Sequence, residues 1–192
     1  MQSKEKIRTF VAINISSELG QALRKLIEEL IKVGGDVKWV KPESIHLTLR
    51  FLGNLTASKI EPLYEAVQKG CEGFSTFRLK SGSKGAFPNL KRPRVYWVGL
   101  TETDDHILTD LQAKVETALS EVGFEKESRK FHPHLTMGRV RSPKKIAEVT
   151  QKFVDYHFPG IEFNVDRVLI MKSELTPRGA IYSIQKAVLL KE

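Results

Sequence analysis

The chain has 192 residues, of which 41% are hydrophobic and 28% charged, a globular balance with enough length for a sizeable core and for one domain spanning 1–192. No apolar run approaches the ~20 residues of a membrane span, residues 1–6 lack the apolar centre of a signal peptide, and one cysteine allows no internal disulfide, so a cytoplasmic protein without membrane contact is expected. Against 23 Asp and Glu stand 31 Lys and Arg, and the formal charge of +8 favours polyanions, nucleic acid first, although many basic proteins bind none.

Residues 8–15 read as a mostly buried first strand. Ser16 or Ser17 caps a helix whose Leu19, Leu23, Leu26, Ile27, Leu30 and Ile31 recur at helical spacing, and Gly34 and Gly35 end it. Residues 37–40 form a short strand, Pro42 and Glu43 a turn, and residues 45–52 a half-buried strand closed by Gly53 and Asn54. Thr56, Ala57 and Ser58 open a second helix through Ile60, Leu63, Ala66, Val67 and Cys71, ended by Gly73. Cys71 reads as a small core residue. Residues 74–79 alternate as a half-exposed strand. The stretch 81–94 holds Gly82, Gly85, Pro88 and Pro93 among Lys84, Lys91, Arg92 and Arg94. It reads as a loop or irregular hairpin, either a basic substrate rim or a solvated connection.

Residues 95–100 form a strand, and Thr103 or Asp104 caps a third helix through Ile107, Leu111, Val115 and Leu119, ending at Gly123. Residues 134–140 form another strand. Ser142 as cap and Pro143 at the first helical position start a fourth helix with Ile146, Val149, Phe153 and Val154 on its apolar side. Three strands close the chain over 158–163, 165–172 and 180–190, the last two joined around Pro177, Arg178 and Gly179. The order repeats strand, helix, motif strand, helix. It predicts an α+β fold of two pseudo-symmetric lobes, each an antiparallel-rich sheet with helices outside, around a central cleft. A doubly wound nucleotide fold is disfavoured, because no glycine-rich phosphate loop follows the first strand.

Two tetrapeptides organise this order: His46-Leu47-Thr48-Leu49 and His134-Leu135-Thr136-Met137. In a strand, residues i and i+2 share a face, so each imidazole stands beside a threonine hydroxyl while the intervening apolar side chains face the core. One such tetrapeptide means little; a repeat half a chain apart is a specific signal. Imidazole titrates near neutrality, so one ring can take a proton from water while the other protonates a departing oxygen. Thr48 and Thr136 can donate to non-bridging phosphate oxygens. This is chemistry for a cyclic or diester phosphate that requires no metal or other cofactor. A structural role for both histidines is the bland alternative. A zinc site would use His132 and His134, which share a face, but a third ligand at a recognised spacing is lacking.

At these residues the chain resembles the two-histidine phosphoesterases, and within them the RNA 2',3'-cyclic phosphodiesterases, also called 2'-5' RNA ligases. The resemblance extends from Arg8-Thr9-Phe10-Val11 through His46 to Gly53, Gly85-Ala86-Phe87-Pro88, Arg92 to Trp97, and Phe131 to Arg139. It implies two lobes around a cleft, hydrolysis of an RNA or nucleotide 2',3'-cyclic phosphate to a 2'-phosphate, and reversible 2'-5' joining of tRNA halves. It also implies His46 as proton donor and His134 as proton acceptor. Arg139 matches a basic position after the second motif, although strict alternation puts it on the face opposite His134. Alternation puts Arg50 on the His46 face as a substrate contact. Phe10 is a candidate for base stacking, with core packing the stronger expectation. A monomer is expected. The alternatives are a phosphodiesterase for another small cyclic phosphate and an RNA-binding module without catalysis.

Overall fold

The computed structural model describes residues 6–103, 106–176 and 179–191. In chain order the elements are β1 (Lys6–Asn14), α1 (Ser17–Val33), β2 (Val37–Trp39), β3 (His46–Thr56), α2 (Ile60–Cys71), β4 (Phe77–Phe87), β5 (Val95–Glu102), α3 (Ile107–Glu121), β6 (His134–Val140), α4 (Ile146–Asp155), β7 (Glu162–Val165), β8 (Arg167–Thr176) and β9 (Gly179–Leu189). The fold is α+β. Its antiparallel strands run in the order β7-β4-β5-β6-β3-β1-β8-β9, with β2 added beside β6, in one strongly curled sheet. The two halves, β7-β4-β5-β6 and β3-β1-β8-β9, meet edge to edge through a single paired position, Leu47 opposite Leu135. Helices cover the convex face, α2 against α3 and α1 against α4. No described helix is long and apolar enough to cross a membrane.

The core lies between sheet and helices. From α1 it takes Leu19, Leu23, Leu26, Ile27 and Leu30, all nearly inaccessible, and Val11, Ile13, Leu47 and Leu135 come from the strands. Ser16 caps α1 by accepting the Leu19 amide at 3.2 Å, and Gly34 ends it in the left-handed region at φ 79°. Both are the stop and start signals expected of those residues.

Two expectations are corrected here, for Lys84 and for Gly53. The stretch 81–94 is the irregular hairpin of its two readings: residues 81–87 continue β4, with a register shift between Ser81 and Lys84, and 88–94 connect it to β5. Gly85 is there because the Trp97 indole lies flat on it: a Cβ would come within 2.3 Å of the ring. Lys84 leaves the basic rim altogether, since its ammonium donates to the carbonyls of Phe153, Val154 and Tyr156 at the C-terminus of α4. Gly53 does not end β3; it sits at φ 72° inside the strand, beside a bulge at Leu52.

The helix starts differ as well. The Glu102 carboxylate caps α3, accepting the Leu108 amide and the Thr109 hydroxyl, each at 2.9 Å. Thr103 donates instead to the Arg78 carbonyl at 3.1 Å, and Asp104 lies outside the described residues. Helix α4 begins at Ile146, because the Lys144 carbonyl is taken by the Asp36 amide and Lys145 turns into the left-handed region at φ 52°. The expected turn at Pro177 and Arg178 also lies outside the described residues.

Candidate active site

The two histidine tetrapeptides meet at the junction of the half-sheets. With Leu47 opposite Leu135 on antiparallel strands, His46 lies beside Thr136 and Thr48 beside His134. In such a register, direct neighbours stand about 5 Å apart and diagonal ones about 7–8 Å. The four polar side chains are half-buried on the concave face; Leu47, Leu49, Leu135 and Met137 are buried on the other. Among the described residues neither threonine hydroxyl has a hydrogen-bond partner within the protein, so both are available to a ligand.

Each motif is followed by a bulge at the same offset. On β3 the register skips Leu49, and on β6 it skips Met137. One extra residue flips the alternation. Arg50 therefore pairs with Val11 and turns to the helix side, while Phe51 pairs with Phe10 and faces the cleft. Likewise Gly138 turns to the helix side and Arg139 faces the cleft. This accounts for Arg139 on the His134 face, against strict alternation, and it corrects the expectation for Arg50. The Arg50 guanidinium pairs with Glu116 at 3.2 Å and Glu127 at 3.3 Å and donates to the Glu125 carbonyl, tying β3 to α3 and to the segment before β6.

Both imidazoles are held in the same way. His46 Nδ1 lies 2.9 Å from the Ser44 carbonyl oxygen, and His134 Nδ1 lies 2.6 Å from that of His132. A carbonyl oxygen only accepts, so Nδ1 carries the proton in each ring and Nε2 is left as the working nitrogen.

Their surroundings differ. His46 stacks on Phe10 at 4.7 Å between centroids and meets the edge of Tyr182 at 5.1 Å. Phe10 is only 1% exposed, which removes it as a base-stacking surface and makes it the floor under His46. His134 meets Phe87 at 5.0 Å, His132 at 5.9 Å and Trp97 at 6.4 Å. Burial pushes both imidazoles below their ordinary pKa, opposed in each by the carbonyl bond at Nδ1. For His134 the charges of His132 and Arg139 push further in the same direction. Among the described residues no group of three His, Cys, Asp or Glu side chains is placed to hold a metal ion. Cys71 is buried and its thiol is pushed up to about 12 by burial, as suits a core residue. The sequence reading missed Tyr182, Phe87 and Phe51. Phe51 stands just past the first motif but on the far side of the bulge, and Phe87 and Tyr182 are distant from both motifs in sequence.

The family model of the 2'-5' RNA ligase superfamily matches residues 20–177. A Thermotoga maritima protein named RNA 2',3'-cyclic phosphodiesterase is 38% identical over 179 residues, covering 93% of this chain and 92% of the relative. One of the same name from Methanothermobacter thermautotrophicus is 31% identical, covering 93% and 96%. Among solved structures, TT0787 of Thermus thermophilus superposes with a TM-score of 0.79 at 23% identity, covering 96% of this chain and 98% of that one. E. coli LigT complexed with 3'-AMP superposes with a TM-score of 0.74 at 23% identity, covering 98% and 100%. With both motifs joined at one sheet position and this match over most of its length, the chain belongs to the 2'-5' RNA ligase superfamily of two-histidine phosphoesterases.

Proposed function

We propose that the cleft hydrolyses the 2',3'-cyclic phosphate end of RNA, or of a nucleotide, to a 2'-phosphate. The observation that carries this is the matched pair of imidazoles, each fixed through Nδ1 with a free hydroxyl beside it; the names of the relatives support the same reading. A cyclic phosphate sits between the two Nε2 atoms, its non-bridging oxygens taking hydrogen bonds from Thr48 and Thr136. Neutral His134 removes a proton from water as the water oxygen attacks phosphorus. The bond from phosphorus to O3' breaks, and His46 gives its proton to O3'. Bound donors aimed at the developing charge lower the barrier without reorganisation.

The division of roles, with His134 accepting and His46 donating, is the one the resemblance to the family implies, and the Arg139 charge near His134 is in keeping with it. With a 5'-hydroxyl in place of water, the same steps join RNA ends 2'-5', and their reversal cleaves that bond; tRNA halves are the natural candidates. One chain supplies both motifs, so a monomer suffices and residues 1–192 act as one catalytic unit. A reducing, cytoplasmic setting suits the free thiol of Cys71.

The test is incubation with a 2',3'-cyclic nucleotide in EDTA. The expected product is the 2'-phosphate, formed at an undiminished rate. A 3'-phosphate product, or activity lost in EDTA and restored by zinc, would overturn the mechanism. Binding of RNA without turnover would favour the non-catalytic alternative.

A further inference from the structure

The rows across the sheet place a second cation beside Arg139. On β2 and β6, Val37 lies opposite Val140, Lys38 opposite Arg139, and Trp39 opposite Gly138. A Cβ on Gly138 would meet Trp39 at 2.6 Å and Val37 at 2.9 Å, so those two side chains lie on the core side of the strand pair. Lys38 and Arg139 therefore project together on the other face, the one that carries the histidines, and both are exposed. The reach of Arg139 toward the cleft shows in its effect on His134. Directly opposed like charges on a sheet repel. Among the described residues neither cation has a carboxylate partner, whereas Arg24, Arg50, Lys69 and Arg129 do. The pair lies beyond Thr136 on the strand, past the bulge at Met137, so the two cations stand outward along the cleft from the phosphate held between the histidines.

We propose that Lys38 and Arg139 form a site for the backbone phosphate of the RNA chain adjoining the terminal nucleotide, with Lys38 a substrate-positioning residue that distinguishes RNA ends from free cyclic nucleotides. This rests on the reading of the cleft as an RNA-end phosphodiesterase. The flexible ammonium of Lys38 follows a phosphate diester as a point charge, and the Arg139 guanidinium supplies a second, directional donor. An anion between them removes the repulsion that the free protein carries.

The experiment compares kcat/KM on a 2',3'-cyclic mononucleotide with that on a trinucleotide ending in the same group, in the wild type, K38E and K38R. The mononucleotide rate is the internal reference for folding and chemistry. The expected result is a wild-type preference for the trinucleotide that K38E reduces roughly tenfold or more and K38R largely keeps. The log–log salt dependence of the trinucleotide value should flatten by about one unit in K38E. Equal effects of K38E on both substrates, or none on either, overturn the proposal. Should the wild type turn over neither substrate, the reading of the cleft fails. Titration with a trinucleotide 2'-phosphate then still decides the site: K38E must weaken binding and flatten its salt dependence, and unchanged binding overturns it.

Discussion

At the scale of single residues, the chemistry comes down to two nitrogen atoms. A backbone carbonyl two residues upstream fixes each ring, so a neighbouring side chain is not needed to choose the tautomer. His46→Ala and His134→Ala are each expected to lower turnover by roughly 10²–10⁴-fold while the protein stays folded. Circular dichroism and the release of 2'-phosphate check this, and near wild-type turnover in either variant sinks the two-histidine mechanism. A substrate whose leaving group needs no proton separates the roles. On it, loss of His46 should matter much less than loss of His134, and equal losses contradict the assignment. The pairing of imidazole with hydroxyl was readable in the sequence, since period-two alternation and a repeated tetrapeptide are both local. Of the two readings of Phe10, base stacking and core packing, its burial favours the second. Its seat under His46 depends on where β1 lies beside β3, which no local pattern encodes.

At the scale of elements, the bulges decide what the alternation could not. Leu49 and Met137 each break the count of two, and nothing in their identity announces it. Arg50 thereby becomes a strut between β3 and α3, its side chain 12% and that of Glu116 13% exposed. Arg50→Ala leaves a nearly buried carboxylate without its partner and is expected to cost about 3 kcal/mol of stability. Below its unfolding temperature the variant should keep near wild-type kcat/KM; a selective rise in KM would return Arg50 to the list of substrate contacts. Gly138→Ala sets a methyl group against Trp39 and Val37 and is expected to cost about 1–3 kcal/mol. Denaturant titration measures both losses. The helix starts at Ile107 and Ile146 were likewise illegible, because the first takes its cap from Glu102 at the end of the preceding strand and the second is set by a bond from the distant Asp36 amide to the Lys144 carbonyl.

At the scale of the whole molecule, the buried pair of imidazoles ties activity and stability to pH. Both are shifted below the ordinary 6.5, so in the free protein the form with one neutral and one charged ring is populated on the acid side of that value. A bound phosphate anion favours the charged ring and pushes in the opposite direction. The bell of kcat/KM, which reports the free enzyme, is therefore expected to peak at a lower pH than the bell of kcat. Rate profiles measured in EDTA check this, and coincident maxima contradict it. Stability follows the same shifts. Between the unfolded value of 6.5 and the lower folded values the unfolded chain binds more protons, so stability is complete above about 6.5 and declines as pH falls through the folded values. Replacing both histidines should flatten that decline in a denaturant titration. The junction at Leu47 and Leu135 has one more consequence. A slip of one residue there would swing the histidine of the strand that moved into the oily interior and its leucine into water, leaving the other motif without its partner. Core assembly and catalytic competence are thus a single coordinate. Refolding should yield no long-lived, well-packed species that is inactive through misalignment, and regained activity should track regained burial from the first molecule to the last.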